Sequence, residues 1–103
     1  MSKRTSADLQ QLLENLMNCD HVYYQPPSNI QMIYPAICFS RNDIDNRFAN
    51  NSVYAQQHSY EIIVIDKNPE SEIVEKVSKL PRVRFERHYV ADNLNHDVFE
   101  LYF

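Results

Sequence analysis

Two histidines and two aspartates lie close together near the C-terminal end of the chain: His88, Asp92, His96 and Asp97. Side chains of these types can bind zinc or transfer protons. In a symmetric β-hairpin with Ala91 opposite Asn95, His88 and His96 become diagonal neighbours on one face, about 7–8 Å apart at the backbone. That register gives one hypothesis, a small metal-binding enzyme, although the spacing matches no standard zinc motif.

The same segment also has the composition of a tight turn. Asp92, Asn93 and Asn95 carry side chains that bond to nearby backbone and tolerate positive φ. The chain contains no glycine, so a turn that needs positive φ has to use residues of this kind. We therefore favour an exposed hairpin tip at Asp92–Asn95 that contacts a partner, and we predict no catalytic residue, cofactor or metal site.

Other chemistries have weaker support. Without glycine there is no glycine-rich phosphate loop. The two cysteines, Cys19 and Cys38, have no CxxC spacing and are expected to be reduced, partly buried thiols. A net charge of −4 argues against a nucleic-acid module. Strand alternation also predicts Arg82 and Arg84 on one face and Arg87 on the other, which would leave no basic stripe.

The elements that position these residues form a single α+β domain, since 103 residues suffice for one domain. Apolar residues at helical spacing predict a first helix over Ser6–Asn18. The apolar run in His58–Asp66 is typical of a central strand, and Asn68-Pro69 is expected to start a second helix. The predicted order is α-β-β-(long loop)-β-α-β-β, a mostly antiparallel sheet of four to five strands with two helices packed on it.

The segment Arg41–Gln57 has no clean helical or strand period. It is predicted as a polar loop of about 15 residues, a length that often signals function, or else as a long hairpin arm. Its charged and aromatic residues are candidates for contacts between subunits: Arg41, Asp43, Asp45, Arg47, Phe48 and Tyr54. The alternative is a solvated loop whose ion pairs contribute little to stability.

Nothing in the sequence predicts export or a membrane span. The first residues, "MSKRTSADLQQ", contain no apolar stretch typical of a signal peptide. No apolar run approaches the roughly 20 residues needed to cross a bilayer. We expect a cytosolic protein with no membrane partner.

Three segments carry a resemblance to a known family: "VYYQPPSNIQMIYPAICFSR", "YAQQHSYEIIVIDKNPESEI" and "LPRVRFERHYVADNLNHDVFELYF". They resemble the small tail completion (tail terminator) proteins of tailed bacteriophages and prophages over roughly Val22–Phe103. The most specific parts are Tyr34-Pro35, the strand ending at Asp66 before an Asn-Pro helix start, and the terminal "ADNLNHD".

The resemblance implies a non-enzymatic virion protein. Such a protein forms a ring, usually a hexamer, on the head-proximal end of the tail tube, where it ends tube polymerisation and meets the head connector. DNA passes through the ring without specific binding, and no catalytic residue carries over. Its partners would be copies of itself, the tail tube protein and the head–tail connector proteins. A neighbouring interpretation is a head–tail connector component, a stopper or an adaptor.

Overall fold

The computed structural model describes residues 5–27, 29–49 and 52–103, without the side chains at 43, 45–49 and 52–57. The elements in chain order are α1 (Ser6–Met17), β1 (Val22–Tyr24), β2 (Ala36–Ala49), β3 (Ser52–Asp66), α2 (Glu72–Ser78), β4 (Val83–Ala91) and β5 (Leu94–Tyr102). Two helices and a mostly antiparallel five-stranded sheet confirm the predicted α+β class.

The first helix begins at a capping box. The Thr5 hydroxyl accepts a hydrogen bond from the Asp8 backbone N–H, and the Asp8 carboxylate accepts one from the Thr5 N–H at 2.9 Å. These bonds satisfy N–H groups that have no partner inside the helix. The helix ends at Asn18, whose φ of 59° takes the left-handed position that glycine often occupies. Leu9 and Leu13 bury its apolar face.

The sheet has the order β1-β2-β3-β5-β4. β1 and β2 are parallel, and every other neighbouring pair is antiparallel. Paired residues share a face of the sheet, so Phe39, Ile62 and Phe99 form one buried row across three strands. The core lies between this face and the helices and includes Leu9, Leu13, Val22, Ile37, Phe39, Tyr60, Ile62, Val64, Val77, Phe99 and Leu101.

The second helix is shorter than the predicted one. Asn68 does not cap it; the Asn68 side chain instead accepts a bond from the Glu70 N–H at 3.0 Å within a turn. Ser71 is the cap, because its hydroxyl accepts from the Ile73 N–H. Val77 is fully buried, and Ile73 and Leu80 pack against the core.

Of the two predictions for Arg41–Gln57, the polar loop is wrong and the long hairpin arm is confirmed. β2 and β3 pair from Ala36↔Ile65 out to Ala49↔Ser52. β5 pairs with β3 only as far as Ser59, and β1 reaches only Phe39 of β2. Residues 43–49 and 52–57, called the arm below, therefore extend beyond the sheet and contribute to a longest dimension of 51 Å. The core residues that the structure describes all lie outside the arm, and burial against a core is what gives a strand a regular apolar period.

The turn between β4 and β5 uses positive φ at two consecutive residues. Asp92 has φ 52° and Asn93 has φ 62°, the combination of a type I′ turn. The register begins at Ala91↔Leu94 and shifts between Phe85 and Arg87, which marks a β-bulge at Glu86.

This turn makes a direct prediction about the stability of the hairpin. Asn93→Val should lower the free energy of unfolding by about 1–2 kcal/mol, because a β-branched residue is strained at positive φ. Asn93→Gly should leave it unchanged or raise it slightly. Urea unfolding followed by circular dichroism measures both variants. Equal losses for valine and glycine would contradict the assignment of strain to position 93.

Candidate assembly surfaces

The hairpin tip consists of Asp92 and Asn93 alone. Both residues are exposed. Asn95 was predicted to belong to this tip, but it lies in β5 and is half-buried. Its amide donates to the carbonyl oxygens of Asp66 at 3.3 Å and Lys67 at 3.2 Å, and its Oδ1 lies 3.2 Å from His88 Nε2. Asn95 thus anchors the hairpin to the end of β3 and is not free to contact a partner.

The two histidines do not converge. The observed register pairs His88 with Asp97 and Tyr89 with His96, so His88 and His96 point to opposite faces of the sheet. The sequence-based register was off by one residue because the turn contains two residues and not three. Among the residues described by the structure, no three His, Cys, Asp or Glu side chains group as metal ligands would. The metal-site hypothesis therefore loses the geometry on which it depended.

Asp97 is the aspartate of this cluster whose pKa is shifted. Burial between β3 and β4 raises its pKa, and the nearby His88 and His96 oppose that rise. A carboxyl whose pKa is higher in the folded state favours folding when protonated and disfavours it when ionised. The ionised Asp97 carboxylate therefore lowers the free energy of unfolding. This loss of stability is absent below the ordinary pKa of 3.8 and is complete once the pH has risen through the pKa of the folded state.

We therefore expect Asp97→Asn to raise the melting temperature at pH 7 and to have a smaller effect at pH 3. The gain should be on the order of 0.5 kcal/mol, because the carboxylate is partly solvated. Thermal unfolding of both chains across this pH range measures the difference. A gain that grows toward low pH would contradict the assigned direction.

Four charged side chains form a network on the face of the sheet opposite the core. Arg84 lies 3.4 Å from Glu100 and 3.7 Å from Glu86, and Arg87 lies 3.8 Å from Glu86. The bulge puts Arg84 and Arg87 on the same face, which corrects the predicted alternation. Since carboxylates neutralise both guanidinium groups, the network has no surplus of positive charge for binding phosphates.

An aromatic pair continues this face toward the hairpin tip. The rings of Tyr89 and His96 stack with centroids 4.6 Å apart, and the Arg87 guanidinium carbon lies 5.8 Å from the Tyr89 ring centre. Tyr89 remains 39% exposed. Aromatic residues and arginine are enriched at protein interfaces, and here they lie beside the unpaired outer edge of a strand.

β4 is the long edge strand of the sheet. Eight of its nine residues are exposed, and Phe85 and Val90 keep 53% and 62% of their surface accessible. Its outer side presents N–H and C=O groups that can pair with another strand. Sequence reasoning missed this edge, although the mixture of charged and apolar residues on both faces of "VRFERHYVA" was a usable signal.

The predicted contact residues of the long segment lie on the hairpin. Arg41 is exposed and sits opposite Tyr60 at the base of the arm. Four more residues lie in β2 and one in β3: Asp43, Asp45, Arg47, Phe48 and Tyr54. Their side chains are outside the described residues, so their roles at an interface remain predictions.

The thiols show no sign of reactivity. Cys19 and Cys38 are both free and half-buried. The Cys38 Sγ lies 3.2 Å from Met32 Sδ, and burial raises the pKa of its thiol. A raised pKa lowers the thiolate fraction, and the thiolate is the nucleophilic form. Cys38 therefore behaves as a packing residue.

Comparison with protein-family models and with curated protein sequences found no match for this chain. Within the described ranges, no helix has the length and apolar character needed to cross a membrane.

Proposed function

We propose that the chain is a structural protein of a tailed-phage virion. It forms a ring at the head-proximal end of the tail tube, ends tube growth and joins the tube to the head connector. The observation that supports this proposal most strongly is the arm, which extends from a small, well-packed body. The resemblance of Val22–Phe103 to tail completion proteins supports it independently.

The arm is suited to contact a neighbouring subunit. An isolated two-stranded hairpin is only marginally stable in water and gains stability from a third strand or a packed face. The seven residues of β2 in the arm span about 23 Å at 3.3 Å each. A contact in which the arm of one copy meets a different surface of the next copy is heterologous, and such contacts form a ring when the rotation between successive copies closes.

The tip at Asp92–Asn93 offers a second, separate surface. It lies at the end of the sheet where Asp66 pairs with Asn95, whereas the arm leaves from the end where Ser59 pairs with Tyr102. The two surfaces are therefore at opposite ends of the body. A ring protein placed between a tube and a connector needs one surface for the neighbouring subunits of its own ring and another surface for the adjoining ring.

The charge of the chain suits passage of DNA through a ring. With a net charge of −4, the protein repels the phosphate backbone on average. The arginines on the exposed face of the sheet are paired with carboxylates. Both features favour a channel through which DNA slides without binding.

The test is to mix the purified chain with purified tail tubes and image the mixture by negative stain. In parallel, light scattering after size exclusion should measure the mass of the chain alone over a wide concentration range. We expect hexameric rings at one end of the tubes and an arrest of tube growth. Rings on isolated connectors but not on tubes would favour a stopper or adaptor, and a monomer that ignores both would overturn the proposal.

A further inference from the structure

Two incomplete β-edges exist in the same molecule. β4 has an unpaired outer edge nine residues long, and the arm has two strands with no third strand beside them in the described residues. At 3.3 Å per residue, β4 spans about 30 Å, and the strands of the arm span about 23 Å in β2 and about 20 Å in β3. The length of the arm therefore fits within the length of the β4 edge.

From this match we infer that the arm of one copy pairs with the β4 edge of the next copy. The sheet then continues across the boundary between subunits. The inference rests on the proposed ring and deepens it, because it specifies which surface receives the arm. Contact between an arm and an edge uses different surfaces on the two copies, as a closed ring requires.

Charge does not oppose this pairing. Asp43, Asp45 and Arg47 give the arm one net negative charge. Arg84 and Arg87 of β4 are balanced by Glu86 and by Glu100 of β5, so this part of the edge has no net charge. The arm therefore meets no strand of like charge at β4.

The hairpin geometry identifies which backbone groups of β4 are available. A two-residue turn closes with a hydrogen bond between Ala91 and Leu94. In an antiparallel ladder, residues that bond to the partner strand alternate with residues that point their N–H and C=O groups away. Tyr89 therefore faces β5, whereas Val90 and His88 present their N–H groups at the free edge.

Val90→Pro is the sharpest test. Proline removes the outward N–H at position 90 and leaves the bonds from β4 to β5 in place, and edge strands tolerate proline. We expect ring formation on tubes to require about tenfold more protein, or to disappear. Val90→Ala, which shortens the side chain and keeps the N–H, is the matched comparison, and ring formation should need clearly less additional protein with alanine than with proline. Circular dichroism checks that each variant is folded.

Disulfide trapping identifies the partner strand directly. The Val90→Cys and Asp45→Cys chains are oxidised under assembly conditions, first each alone and then as a mixture. The parent chain is the control for disulfides that involve only Cys19 and Cys38. A covalent dimer that appears chiefly in the mixture supports the inference. Dimers of Val90→Cys alone would show β4 paired with β4 and overturn it.

The two proposals fail in different ways. If the parent chain forms rings on tubes and folded Val90→Pro forms them equally well, the edge assignment is wrong and the proposed function stands. If the parent chain forms no rings with tubes or connectors, both are wrong.

Discussion

A chain with a shortened arm should fold normally and fail to assemble. Replacing residues 46–56 by Asn-Gly joins Asp45 to Gln57, which are already cross-strand partners, through a turn that suits a two-residue hairpin. We expect ring formation on tail tubes to weaken by about a hundredfold or more, because losing roughly 3 kcal/mol of contacts has that effect. Negative-stain counting of capped tubes against protein concentration measures the loss.

The body of the molecule should be unaffected by this change. The core residues that the structure describes all lie outside the arm, on α1, α2 and the parts of the strands within the sheet. The melting temperature of the shortened chain should therefore stay close to that of the parent. Lys76→Gln is the control, since Lys76 is exposed on α2 and lies outside the arm, the tip and β4, and this change should leave ring formation intact. Rings formed by the shortened chain at parental concentrations would show that the arm is not the subunit contact.

Local signals in the sequence predicted much of the body. Leu9 and Leu13 have helical spacing and are buried, and Thr5 with Asp8 forms a capping box at the predicted start of α1. The run Ile62–Ile65 lies in the central strand β3, as its apolar character on both faces indicated. These predictions succeeded because burial against the core selects side chains at a fixed period.

The arm and the register of the second hairpin were not predictable in the same way. In the arm, backbone pairing defines the two strands, while the sequence lacks the apolar period that burial against a core selects. The two-residue turn shifts β4 by one residue relative to the hairpin assumed from the sequence, and the bulge at Glu86 shifts the register again only beyond Arg87. A shift of one residue moves every side chain to the other face, and this separated His88 from His96.

Phe99→Ala should cause the largest loss of stability among single substitutions in the body. Phe99 is fully buried in the centre of the sheet, opposite Ile62 on β3 and Phe85 on β4. Truncating a buried phenylalanine costs about 3–5 kcal/mol, against a total stability of about 5–15 kcal/mol for a typical domain. We expect the urea midpoint of unfolding to fall sharply. If the parent chain lies at the low end of that stability range, the variant will be partly unfolded at 37 °C.

Phe85→Ala is the matched control for this loss, because the two rings touch edge to face with centroids 5.4 Å apart. Phe85 is 53% exposed on the edge strand, so its removal should cost less than about 1.5 kcal/mol, the range for one aromatic contact with modest burial. If β4 receives the arm of a neighbour, Phe85→Ala should weaken ring formation more than it weakens folding. Equal losses of unfolding free energy for the two variants would contradict the assignment of the core to the Phe99 row, because the exposed ring would then matter as much as the buried one.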